Sequence, residues 1–184
     1  MLIVVAVAAA LACASVGGGL YEFSVVDPFW PRRPDLVQPS RGGISRRRFW
    51  IAIHVAFEVT LIAALVWTWS QPAVRTALLV ALASHAVMRL WSAFDFIPKA
   101  LAFEKAPPGT ISEAAARAWT ARSRLRLPLD LVTCGALLWA LVEAARSARG
   151  RISNRLIDKD SSSAGDQGAR ESVMLGANQI GGTS

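Results

Sequence analysis

Two pairs of polar residues stand out because they interrupt apolar runs. His54 and Glu58 are four residues apart, as are His85 and Arg89. Four-residue spacing puts each pair on one face of a helix. A carboxylate beside an imidazole can exchange a proton, and a guanidinium can hold a carboxylate or a substrate oxyanion. His54, Glu58, His85 and Arg89 are therefore the candidate catalytic or binding residues.

These pairs lie inside windows long enough to cross a bilayer. About 20 apolar residues span the ~30 Å hydrocarbon layer, and four segments qualify: 2–20, 49–69, 73–96 and 127–145. The whole chain agrees. Its 184 residues are 53% hydrophobic and only 18% charged, with a mean hydropathy of +0.38. That composition excludes an intrinsically disordered chain and disfavours a water-soluble globule. The expected fold is an all-α membrane protein, a four-helix transmembrane bundle over residues 1–146 followed by a flexible polar tail over 147–184. The first segment is read as a retained helix rather than a signal peptide, because no Lys or Arg precedes it. Cys13 and Cys134 offer neither a disulfide framework nor zinc spacing.

Spans two and three are joined by the short turn at Ser70-Gln71-Pro72 and must be antiparallel neighbours. About a centre between Gln71 and Pro72, His54 falls level with Arg89 and Glu58 level with His85. Asp95, Arg126, Asp130 and Glu22 sit near the ends of their helices. Together they would line a polar cavity opening toward the long connections, deepest at Glu58 and His85. Three readings follow. The charges form a structural polar core that sets helix pairing. Alternatively they form a proton-exchanging or small-molecule site, as ionisable groups inside a bilayer often do. In the third, His54, Glu58 and His85 ligate a metal ion, which the adjacent Arg89 opposes. No metal or other cofactor is assigned.

The long connections carry the basic residues. Arg32, Arg33, Arg41 and Arg46–Arg48 flank the first; Lys99, Lys105, Arg117, Arg122, Arg124 and Arg126 flank the other. Basic loops stay in the cytoplasm. The expected placement is a plasma (inner) membrane, with both long connections inside and the N-terminus outside. The basic residues from Arg146 to Lys159 run against this assignment. The net charge of +7 lies beside the spans, so it serves membrane lipids rather than nucleic acid.

Local signals complete the expectation. Pro28, Pro31 and Pro34 suggest a stiff, solvated polyproline-like stretch, held at the interface by Phe29 and Trp30. Gly42-Gly43 suggests a flexible point. Gly17-Gly18-Gly19 allows close helix approach and suggests a helix end. Thr110 and Glu113 form a capping-box pattern that predicts a helix over 111–125, lying on the membrane surface before the fourth span.

The small-residue first span ending in Gly17-Gly18-Gly19, the tight central hairpin, and Trp119 followed by Ser123 and Arg126 before the last span make up a layout. It resembles a group of small four-helix integral membrane proteins that includes anthrone oxygenases. The resemblance covers about residues 2–145. It implies a lipophilic, polycyclic aromatic substrate, and it carries over no catalytic residue. The residues His54, Glu58, His85 and Arg89 have no counterpart in that pattern. The functional expectation is a polytopic membrane protein that binds or converts a lipophilic small molecule. The alternative is a non-catalytic membrane component, a transporter accessory or assembly subunit, and a homo-oligomer is compatible with either.

Overall fold

The computed structural model describes residues 1–107, 109–151 and 153. The chain divides into two compact units, Met1–Ala144 and Ala145–Ser184. In the first unit, α1 is Leu2–Tyr21, α2 Arg46–Trp67, α3 Pro72–Trp91, α4 Ile97–Lys105 and α5 Glu113–Ser123. A short turn over Arg124–Arg126 leads into α6, which starts at residue 127. In the second unit, the described residues 145–151 and 153 are helical. The expected tail thus begins later than residue 147, and its remainder lies outside the described residues. Four helical stretches are long and apolar enough to cross a membrane: Leu2–Val26, Arg46–Trp67, Pro72–Lys105 and Glu113–Arg151. The protein is a four-helix membrane bundle.

The core of the bundle is built from small residues. Val5, Ala8, Ala9 and Ala12 of α1 meet Phe57, Leu61 and Ala64 of α2, Ala77, Leu78 and Ala81 of α3, and Ala136, Leu137 and Ala140 of α6. Alanine lets helix backbones approach closely, which is how packing is gained where lipid is as apolar as protein. Ile51, Val55, Val59, Ile62 and Val66 form an exposed apolar ridge along α2, the pattern of a lipid-facing side. Successive contacts fix the directions. Gln71 meets Met1 while Glu22 meets Arg46, so α1 and α2 are antiparallel. Ser84 donates to the Leu129 carbonyl at 2.9 Å and Arg126 to Ser92 at 3.0 Å, so α3 and α6 are antiparallel too.

Two helices overrun the expected ends. Gly17–Gly19 do not terminate α1; the chain stays helical and passes into a wide π-type turn over Glu22–Val26. Gly18 serves close approach instead. A Cβ on Gly18 would stand 2.5 Å from the Phe49 ring. A second wide turn, Ser92–Phe96, carries α3 into α4. The 34-residue stretch Pro72–Lys105 is about 50 Å long, well beyond the ~30 Å hydrocarbon layer. Its α4 end lies beyond the apolar core of the bundle and forms a post.

The connection between α1 and α2 docks on that post. Turn hydrogen bonds run from Phe29, Trp30, Arg32 and Arg33 back to earlier carbonyls, and Pro34–Val37 and Pro39–Arg41 form tight helical turns. No solvated polyproline stretch forms, because the backbone bonds to itself. Trp30 is fully buried against protein, while Phe29 stays exposed. Gly42-Gly43 is not a loose joint. Gly42 has φ +83°, and a Cβ on Gly43 would sit 2.1 Å from the Asp35 carbonyl oxygen. Gly42 favours glycine through its left-handed backbone, and Gly43 through a close backbone crossing. The α5 cap also differs from expectation. Ser112, not Thr110, accepts from the Ala115 amide at 3.4 Å, and Thr110 donates to the Pro107 carbonyl. The helix starts at Glu113 because Ser112 has the extended backbone of a cap.

Candidate functional site

The central hairpin brings three of the four candidate residues into direct contact. Glu58 Oε1 lies 3.3 Å from His85 Nε2 and 2.9 Å from Arg89 Nε. One carboxylate oxygen is thus shared by an imidazole and a guanidinium. The two sides of this contact differ. The His85 side chain is 6% exposed, while those of Glu58 and Arg89 are 38% and 36% exposed. The cluster starts in the bundle interior and ends on the flank of the α2–α3 hairpin.

His54 joins through its ring. It lies 5.7 Å from the His85 ring and stacks on Trp50 at 5.4 Å with an interplanar angle of 23°. Phe57 covers His85 edge-on at 4.8 Å. Among the described residues no three His, Cys, Asp or Glu side chains come together in a way that could hold a metal ion. The ligand set of His54, Glu58 and His85 is not assembled, because Arg89 occupies Glu58 and His54 turns to Trp50.

Behind His85 lies a cavity of about 10 Å³, lined by Ala12, Ser15, Phe57, His85, Asp130 and Thr133. That is room for a single water. Ser15, His85, Asp130 and Thr133 offer it enough polar partners. The expected inward-opening polar cavity is therefore much smaller than the sequence suggested. The other charged residues are used elsewhere. Asp95 pairs with Lys99 and Arg122. Glu22 holds Arg46 at 3.1 Å and accepts from the Trp50 indole at 2.8 Å. Arg126 binds the Ser92 and Ser123 hydroxyls and lies 4.4 Å over the Phe96 ring. Of that group only Asp130 reaches the cavity wall.

A second layer surrounds the post formed by α4. Trp30, Phe96, Phe103 and Trp119 pack ring on ring at 5.2–6.1 Å between centroids. The Arg46 guanidinium lies against both indoles, 5.5 Å from Trp30 and 5.3 Å from Trp119. The Trp119 indole donates to the Phe96 carbonyl, which the wide turn leaves within reach. Gln38, fully buried, donates to the Phe103 and Ala106 carbonyls and accepts from Arg41. Asp27 accepts from the Trp30 indole at 3.1 Å. Burial, reinforced by the nearby Glu22 carboxylate, pushes the Asp27 carboxyl up to about 6. The sequence reading missed Gln38, and it placed Trp30 at the lipid interface. Neither residue carries a periodic signal, since both sit in a connection.

The two cysteines also meet. Cys13 Sγ and Cys134 Sγ are 3.4 Å apart, joining α1 to α6. Their separation in sequence gave no hint of this, because no short turn ties the register of α1 to that of α6.

No family model, curated protein or solved structure matches the chain.

Proposed function

We propose that the protein binds or converts a lipophilic small molecule bearing an anionic or oxyanionic group, at the membrane-facing flank of the α2–α3 hairpin. The observation that carries this reading is the half-exposed Glu58 carboxylate, shared between buried His85 and accessible Arg89 midway along a membrane helix. Ionisable groups are costly at that depth and mark functional sites. The interior cavity has room for one water only, so a lipophilic molecule would meet the cluster from the lipid side. Arg89 would anchor its oxygen, Glu58 would accept a proton, and His85 would pass that proton toward the water site and Asp130. His54 would hold the His85 ring in place. The layout shared with the group that includes anthrone oxygenases supports an oxygen-bearing aromatic as the ligand class. In this reading the long connections, with Arg46 and Arg126, face the cytoplasm of a plasma-membrane protein, and the N-terminus lies outside.

The test is Glu58→Gln in the full chain, extracted with its lipids. Mass spectrometry should find a lipophilic molecule retained by the wild type and lost from a variant that accumulates normally. A variant that fails to accumulate would overturn the reading in favour of a non-catalytic membrane component. One observation favours that second reading: Glu58, His85 and Arg89 already satisfy one another. Reporter fusions at the C-terminus test the topology, and a cytoplasmic signal would overturn it.

A further inference from the structure

The chain has only two cysteines. They belong to different helices, 121 residues apart, and their sulfurs lie 3.4 Å from each other. Both are free thiols, Cys13 exposed and Cys134 partly so, on the outer surface of the α1–α6 seam. A disulfide needs the sulfurs about 2.05 Å apart, so a small movement of two side chains closes the gap. Depth limits what can react there. Cys13 sits about 16 Å along α1, and half of the ~30 Å hydrocarbon layer is ~15 Å. Charged thiol reagents of the aqueous phase, such as glutathione, do not enter this layer. An oxidant for this pair must itself dissolve in lipid.

We propose that Cys13 and Cys134 form a redox-active dithiol at the bilayer midplane, oxidised to an α1–α6 disulfide by a lipid-soluble quinone. The balance is simple. Two S–H bonds break and one S–S bond forms, while two electrons and two protons convert the quinone to its quinol. The residues just before the two cysteines, Ala12 and Thr133, line the water-sized cavity beside His85. Closing the disulfide therefore tightens the helix seam at that cavity wall. The inference stands on the α1–α6 contact and does not depend on a ligand at Glu58.

The experiment uses the full chain in lipid vesicles, with a short-chain ubiquinone analogue as oxidant and oxidised glutathione as the aqueous control. The quinone should make both thiols resistant to alkylation by a maleimide, lower the protein mass by two hydrogens and yield one quinol per chain. A membrane-permeant reductant should restore both alkylatable thiols and the two hydrogens of mass. Oxidised glutathione should leave both thiols alkylatable. Cys13→Ser and Cys134→Ser, each nearly isosteric, should abolish the mass loss and quinol formation. Thiols that stay alkylatable after quinone treatment would overturn the proposal. So would a cross-link between two chains, a mass gain from a quinone adduct, or equal oxidation by glutathione disulfide.

Discussion

Two clusters in this protein use the same ingredients and treat them differently. In the aromatic layer on α4, Arg46 meets the Glu22 carboxylate, with the Trp30 and Trp119 rings packed beside it; the Arg46 side chain is 9% exposed. In the hairpin, Arg89 meets the Glu58 carboxylate, and that pair stays more than one-third exposed. The first arrangement fastens a connection to a post. The second leaves a charged pair accessible from the flank of a membrane helix. Enclosure, rather than residue type, separates a structural ion pair from a candidate site.

The comparison makes graded predictions. Arg46→Met leaves the partly buried Glu22 without its cation. It should destabilise the protein by about 3–5 kcal/mol in denaturant or thermal unfolding in detergent. Adding Glu22→Gln should restore part of that loss; no restoration would mean that Arg46 acts through its indole stacking instead.

Asp27 gives the next largest effect. Its folded pKa of about 6 lies above the ordinary 3.8. Stability from this group is therefore fully present below pH ~4 and is lost as pH rises through ~6. Asp27→Asn should match the wild type near pH 4 and exceed it near pH 7.5, by up to about 3 kcal/mol. Unfolding measured across that range checks the sign, and a constant difference would show that Asp27 does not titrate there.

Ser112→Ala removes the cap of α5 and should cost about 1 kcal/mol. Thr110→Ala, at the position the sequence pattern favoured, should cost less. The smallest stability change is expected at the hairpin. Glu58→Gln should shift unfolding by less than about 1 kcal/mol, as for other exposed ion pairs, while ligand retention is lost. A large destabilisation there would erase the contrast between the clusters.

What could be read from the sequence follows the same division. The shared depth of Glu58 and His85 was legible, because a short turn fixes the register of two helices; that their faces meet was not, and it came from the packing. The spans were legible through hydropathy. The degree of exposure was not, since residue spacing gives depth but not what covers a side chain. The aromatic layer was hidden for a different reason. Trp30, Gln38 and Gly43 lie in a connection whose order comes from distant partners, Phe103, Ala106 and Trp119. Proline spacing suggested a solvated polyproline-like stretch there, and local turn bonds with tertiary contacts overrode it. Thr110 lost the cap to Ser112 because two serine or threonine residues compete for one helix start.

The docking of the first connection also sets a timetable for synthesis. The Gln38 side chain is bound by a carbonyl that lies 65 residues further along the chain. At ribosomal speeds of about 5–20 residues per second, that partner emerges roughly 3–13 s later. Throughout that interval Trp30 has Asp27 for its indole N–H, but its ring still lacks Phe103 and Trp119. Insertion of the membrane hairpin therefore comes before the connection upstream of it can finish folding.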